Sequence, residues 1–482
     1  SISTRCRLVE SKNKQIQLEH SRLEGVGSKG SPTMNGSWKL ILPVGFVLYS
    51  LPLFLRVNGT SDYVIDEEFH IPQGLAFCRK EFDVWDPKIT TFPGLYLIAL
   101  LLNPLSLCTV TGLRMLSLAG AGINILLLYK IRRRILAGSG GNSYAAHEAI
   151  TMSVLPPLYF FSHLYYTDTL SLTMVLLFYN YWQQEAHLPA AVFGAASVLM
   201  RQTNIVWVCM ATGMTVLDTL VNQCARTGRV PKENVRLMGK ELWLQLVSSP
   251  QLLCNCILSI LAKCCFYASI ILPFVGFLFI NGSIVVGDKS AHEASLHVPQ
   301  LFYFAIFAAG FGISNTIRQF RPAAELIRRN RVLSLLALLL ILVVVHLNTE
   351  VHPYLLADNR HYTFYIWSRL YGRFWWFRYA MAPAYLLSIC VLFCGLRHMP
   401  ESFKLMFPLS LFLVLCFQRL LELRYFLVPY ILFRLNTRHT RKGYAEWLEL
   451  GAHLLLNVAT FYVYFTKEFY WKNYRTPQRI IW

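Results

Sequence analysis

The chain is short of charge, and shortest of acid. Charged residues make up 15% of its 482 positions, and 26 aspartates and glutamates stand against 45 lysines and arginines. A soluble domain carries about 25% charged residues, so a soluble globular fold is excluded. No polar stretch longer than a loop separates the apolar runs, and no repeat of fixed period is present. A glycine-rich phosphate loop, an Asp-x-Asp motif and a Gly-x-Ser-x-Gly elbow are all missing, which disfavours soluble nucleotide-sugar chemistry and serine hydrolysis. The 12 cysteines lack zinc-finger spacing and lie mostly inside apolar runs. They read as small buried hydrophobes rather than a disulfide frame, and Cys78 has no evident partner in its own loop. Residues 1–33 are polar and lack the apolar core of a secretory signal. They are expected to form a disordered extension, with Met34 as the natural start and 34–482 as a single membrane domain.

What the sequence does have is hydrophobic length. Runs such as 38–55, 254–280 and 332–347 approach the roughly 20 apolar residues that a bilayer span requires. Counting all such runs gives an all-α polytopic membrane protein with about 12–14 spans. The formal charge of +19 sits in short loops: Lys130 with Arg132, Arg133 and Arg134; Arg318 to Arg331; Arg434 to Lys442. That is the pattern of cytosolic loops and lipid-headgroup contact, not of a nucleic-acid site. The run 93–102 is short and is interrupted by Asn103-Pro104, so it is expected to dip into the membrane without crossing. The next run, 113–129, then returns the arginines to the cytosolic side. Sequons at Asn58 and Asn281 both fall in segments assigned to the opposite, outer face.

Chemistry concentrates on that outer face. Seven of the 26 acids lie between Val57 and Phe92, directly after the first run. Asp66, Glu67 and His70 fit one short helix, and positions four apart share a face. A carboxylate within hydrogen-bond reach of a hydroxyl is suited to act as a general base; a solvated acidic loop is the plainer reading. A metal site is weakly indicated, since Asp66-x-x-x-His70 offers no compact ligand set. A second outer segment, 352–367, sets Asp358, Arg360 and His361 among aromatics, which suits a phosphate and a sugar. Arg114 and Arg201 lie within or at the end of apolar runs, where charge is costly and marks a functional candidate. The loop 281–292 is either a hairpin cap or a lid.

Several of these segments are familiar together. Asp66-Glu67-Glu68-Phe69-His70-Ile71-Pro72-Gln73 and Trp85-Asp86-Pro87-Lys88-Ile89-Thr90-Thr91-Phe92-Pro93-Gly94-Leu95-Tyr96 resemble the endoplasmic-reticulum α-1,2-glucosyltransferases that use dolichyl-phosphate glucose. These belong to the GT-C superfamily. The likeness continues in order through Leu164-Tyr165-Tyr166-Thr167-Asp168, Arg201-Gln202-Thr203-Asn204, 281–288, 358–367, 424–430 and Gln478-Arg479-Ile480-Ile481-Trp482. Glu68 departs from it, standing where an apolar residue is expected.

The resemblance implies a GT-C bundle in the endoplasmic-reticulum membrane with its active site in lumenal loops. Its substrates would be dolichyl-phosphate glucose and a diglucosylated dolichyl-diphosphate-linked oligosaccharide, which would receive its third glucose with inversion. Asp66 would be the base, and Glu67 would orient the acceptor or support Asp66. Arg114 and Arg360, with His361 beside them, would hold the donor phosphate. His70, Trp85, Asp86, Asp168, Arg201 and Asp358 would contact the acceptor or support the loops. No metal or other cofactor is implied. A related transferase of another dolichyl-phosphate sugar, such as mannose, is the nearest alternative. A transporter predicts mid-membrane ionisable groups and inverted repeats, which are not seen. A non-catalytic regulator predicts that Asp66→Asn is silent.

Overall fold

The computed structural model describes residues 36–136, 141–225, 235–289, 295–437, 443–472 and 477–482. The expected extension 1–33 lies outside them. The protein is an all-α polytopic membrane protein. The one sheet among the described residues pairs Glu468–Phe469 with Gln478–Arg479.

Among the described residues, seven helices are long and apolar enough to cross a membrane: Lys39–Thr60, Val110–Ile135, Gln202–Cys224, Pro250–Asn281, Arg331–Asn348, Phe377–Gly395 and Tyr444–Thr466. An eighth span results if Pro299–Phe311 and Ile313–Arg329, bent by 111°, are taken together. This is fewer than the 12–14 expected from apolar runs. The other runs form shorter helices such as Thr167–Trp182, His187–Met200 and Leu427–Asn436. Leu427–Asn436 has nine of its ten residues buried. Its hydrophobicity serves protein core rather than lipid, a distinction that apolar patterning alone cannot draw. By contrast, Arg331–Asn348 leaves Val332, Leu333 and Leu340 well exposed, as a lipid-facing helix does.

Local sequence sets the boundaries. Thr109 caps Val110–Ile135 by accepting a hydrogen bond from the Gly112 amide at 3.0 Å, and arginines in its last turn complement the helix dipole. Ser249 caps Pro250–Asn281, with Pro250 as the first helical residue. The segment 93–102, expected to dip without crossing, lies in Gly94–Ala99 and the 3₁₀ turn Leu100–Leu105, both too short to span.

Three expectations are corrected. Arg318 to Arg329, expected in a loop, lie on the helix Ile313–Arg329, which buries Gln319 and Ala323, pairs Arg318 with buried Glu446 and turns Arg321, Arg328 and Arg329 outward as an interfacial helix does. Arg132 and Arg434 do not reach headgroups. Both are fully buried: Arg132 pairs with Glu148, and Arg434 pairs with Glu148 and Glu449. Cys78 is bonded to Cys108, with Cα atoms 5.8 Å apart. That disulfide ties the end of the helix Glu67–Cys78 to the segment leading into the second long helix, around a core of Ile71, Phe77, Leu95, Tyr96, Leu113 and Tyr165. This core carries the acidic loop.

Candidate active site

The acidic segment turns sharply before its helix begins. Ile65 has φ of 48°, a left-handed conformation that a β-branched residue adopts only under constraint, at a cost of about 1–3 kcal/mol. The constraint is visible. The Tyr166 hydroxyl donates to the Val64 carbonyl at 2.8 Å and accepts from the Asp66 amide at 3.1 Å. The turn sends two consecutive acids to different partners.

Glu67 goes inward and is fully buried. Its Oε1 accepts from Arg114 Nε at 2.9 Å and from the Tyr165 amide at 2.7 Å. Its Oε2 accepts from Arg114 Nη2 at 2.6 Å and from the Val64 amide at 3.1 Å. Arg114, also fully buried, donates further to the carbonyls of Ser61 and Asp62. A buried pair is tolerable only when its remaining donors and acceptors are satisfied in this way.

Asp66 goes the other way. Its side chain keeps 32% of its surface accessible, and its Oδ2 accepts from Arg424 Nη1 at 2.8 Å. Its Oδ1 receives no hydrogen bond from the described residues. Arg424 also pairs through Nε with Glu422. Burial pushes the Asp66 carboxyl up, but the Arg424 charge, assisted by His70, outweighs it and holds the group at about 2. Burial raises Glu422 as well, and Arg424 again reverses the direction. His70 is driven by burial down to about 4 against the pull of Asp66; its Nδ1 lies 2.7 Å from the Tyr96 hydroxyl.

Two cavities meet at this pair. The first, about 440 Å³, is lined by Asp66, Glu68, Asp358, Glu422 and His361 together with Phe69, Tyr354 and Trp471. Carboxylates and aromatic faces in one cavity suit a polyhydroxylated sugar. The second, about 230 Å³, is lined by Arg201, Arg419 and Arg424 and by apolar Trp207, Phe417 and Val428. Tyr354 and Leu420 line both. Among the described residues, no group of three or more His, Cys, Asp or Glu gathers as a metal site.

A family model described as the DIE2/ALG10 family matches residues 60–435. The chain belongs to the DIE2/ALG10 family. Its relatives include a mouse and a human protein, each 34% identical to it, with 87% of this chain and 93% of the relative covered. An Arabidopsis relative is 30% identical, covering 90% of this chain and 98% of its own. All three are named Dol-P-Glc:Glc(2)Man(9)GlcNAc(2)-PP-Dol alpha-1,2-glucosyltransferase. No solved structure matches the chain.

Within this family member, the residues singled out by sequence divide. Asp66, Asp358, Arg360 and His361 line the first cavity, and Arg201 lines the second. Arg360 is held by Asp358 at 2.8 Å and by Gln478 at 3.0 Å. His361 Nδ1 lies 3.2 Å from the Trp482 carbonyl. Asp168 sits behind Arg201, at 2.7 Å. Asp86 accepts from the Lys88 amide and donates its own amide to Gln73, closing the turn after Trp85. Trp85 packs edge-on against Phe77 and Tyr96. The loop 281–288 lies on that turn: Gly287, at φ 65°, has no room for a Cβ beside the Pro87 carbonyl. Glu67 and Arg114 line neither cavity. Glu422 and Arg424 were missed by sequence reasoning. The signal was there, in the charged interruption Arg419-Leu420-Leu421-Glu422-Leu423-Arg424 between two apolar runs.

Proposed function

We propose that the chain transfers glucose in α-1,2 linkage from dolichyl-phosphate glucose to the diglucosylated, dolichyl-diphosphate-linked oligosaccharide, as the names of its relatives state for those proteins. One observation carries the assignment of the site. Of the two acids at its centre, only Asp66 has an accessible carboxylate on a sugar-sized cavity, with an arginine 2.8 Å away to meet a phosphate. In a single displacement, Asp66 takes the proton of the acceptor 2-hydroxyl, the hydroxyl oxygen attacks the anomeric carbon, and the bond to phosphate breaks. The β-linked donor thus gives an α-linked product. Phosphate leaves as an anion, so one carboxylate serves where glycoside hydrolysis uses two. Arginine stabilises the developing charge. No metal ion or other cofactor has a role in this scheme, and transfer is expected to survive chelation of divalent ions.

The site is read as lumenal, in the endoplasmic-reticulum membrane. The Cys78–Cys108 disulfide supports that side, since disulfides persist in oxidising compartments. The sequons add little: Asn58 and Asn281 both engage their side-chain amide nitrogens in internal hydrogen bonds.

The test supplies purified protein with labelled dolichyl-phosphate glucose or dolichyl-phosphate mannose and a synthetic lipid-linked glycan acceptor. Transfer of glucose only, lost in Asp66→Asn, is expected. Transfer of mannose instead, or full activity of Asp66→Asn, overturns the reading.

A further inference from the structure

We propose that Arg424 is the ligand of the donor phosphate, and that in taking the phosphate it gives up Asp66, so that donor binding arms the base. This rests on the glucosyltransferase reading above and names the residue that couples its two substrates.

The guanidinium is committed on only part of its edge. Nε pairs with Glu422 and Nη1 with Asp66, while Nη2 makes no hydrogen bond among the described residues. Arg424 lines the arginine-rich cavity, whereas both of its carboxylate partners line the other one. Arg201 and Arg419, which share its cavity, are each balanced by a single carboxylate, Asp168 and Glu350. A phosphate favours the two-pronged fork of an arginine. The Nη1–Nη2 edge offers that fork at the cost of one hydrogen bond, the one to Asp66, while Glu422 keeps the guanidinium anchored through Nε.

The exchange answers a chemical difficulty. In the free protein Asp66 is paired with a full positive charge, and a carboxylate so stabilised is a poor base. Once the phosphodiester anion occupies Arg424, that stabilisation is withdrawn and Asp66 gains basicity beside the anomeric carbon. During transfer the hydroxyl proton goes to Asp66, the new bond forms between the acceptor oxygen and C1, and the electron pair of the broken C1–O bond stays on the phosphate, on Arg424. When dolichyl phosphate departs, Asp66 releases its proton to water and the pair closes again. Donor therefore binds before the base is competent.

The experiment measures equilibrium binding of dolichyl phosphate, the leaving group alone, to the full chain in nanodiscs. Wild type is compared with R424Q, R424K and D66N, and transfer is assayed in parallel. R424Q is expected to weaken binding by about tenfold or more, and R424K by less, because an ammonium keeps the charge but loses the fork. D66N, though inactive in transfer, is expected to bind dolichyl phosphate about three- to tenfold more tightly, because no carboxylate competes for Nη1. Binding by D66N that is unchanged or weaker overturns the exchange, and unaffected binding by R424Q overturns the phosphate role. Should R424Q fail to fold, wild type against D66N decides. Failure of wild type to transfer glucose would sink the glucosyltransferase reading by itself, because the binding comparison needs no turnover.

Discussion

Asp66 and Glu67 are neighbours, both acidic and both paired with an arginine, yet they sit in opposite environments. The Glu67–Arg114 pair is sealed, with neither side chain exposed, and every carboxylate oxygen accepts two hydrogen bonds from the protein. The Asp66–Arg424 pair is open, with a bare carboxylate oxygen and an uncommitted guanidinium nitrogen on two cavities. A second fully buried cluster interlocks Arg132, Glu148, Arg434 and Glu449, although there Arg434 Nε and Nη1 have no hydrogen-bond partner among the described residues. Charge inside a membrane protein is therefore not one signal. Where both partners are fully buried, the pair locks elements together. Where an oxygen or nitrogen is left over on a cavity, it is available to a substrate.

The largest expected effects come from breaking each pair in turn. Asp66→Asn keeps the shape and removes the base. Turnover should fall by about 10²–10⁴-fold, the usual contribution of a general base, with the fold kept and the melting temperature lowered only by what the Arg424 pair contributes. Glu67→Gln should do the reverse. Stranding Arg114 in the interior should cost about 3–5 kcal/mol of stability, read as a lowered melting temperature, while the protein that remains folded keeps most of its turnover per molecule. If Glu67→Gln instead abolishes turnover at full stability, the roles of the two acids are interchanged. Glu67→Leu combined with Arg114→Met sharpens the point, since replacing both partners by apolar residues removes the stranded charge and should recover part of the stability lost by the single change, the amides of Val64 and Tyr165 left without Glu67 keeping the recovery incomplete.

Much of this contrast could be read in the sequence, but not its decisive half. The dense acids after the first apolar run pointed to a segment that lines the first cavity, and the Asn103-Pro104 break pointed to helices too short to span. Arg114 was flagged because charge in an apolar run is expensive, and it is a special residue. Its expense is met by Glu67, however, and nothing local says so, because the two are 47 positions apart. Arg424 lies 358 positions from Asp66, beyond any periodicity argument. The described residues hold fewer helices of spanning length than the apolar runs suggested, for a related reason: helices such as Leu427–Asn436 are apolar because they face protein. Cys78 found its partner across the half-span at Cys108, a pairing that folding back of 93–102 creates and linear spacing does not suggest.

That disulfide provides a smaller test of the same contrast, because it braces the platform and touches neither pair. It joins residues 30 apart, and a loop of that length corresponds to about 3–4 kcal/mol in the chain-entropy account. Cys78→Ser with Cys108→Ser should lower the melting temperature accordingly, make the wild-type response to reductant disappear, and leave the acid dependence of turnover where it was. Turnover that collapses at full stability would mean that the brace sets the geometry of Asp66 directly.

The smallest effect lies in how stability varies with pH, where the open pair has a signature of its own. Asp66 titrates at about 2 in the folded protein against 3.8 when unperturbed. Its contribution is therefore complete above about pH 4 and is lost as the pH falls toward 2, where the folded carboxyl finally takes a proton. His70 acts higher. Held at about 4 against 6.5, it lets the unfolded chain bind a proton that the folded protein refuses, so stability declines as the pH falls from 6.5 to 4. Thermal melts across this range should show two successive losses. His70→Gln should flatten the upper one. Asp66→Asn should remove the lower one and, by withdrawing the carboxylate that favours a charged imidazole, extend the His70 window further toward acid. A lower loss that persists when Asp66→Asn is combined with His70→Gln would mean that Glu422, the other acid on Arg424, carries the linkage instead.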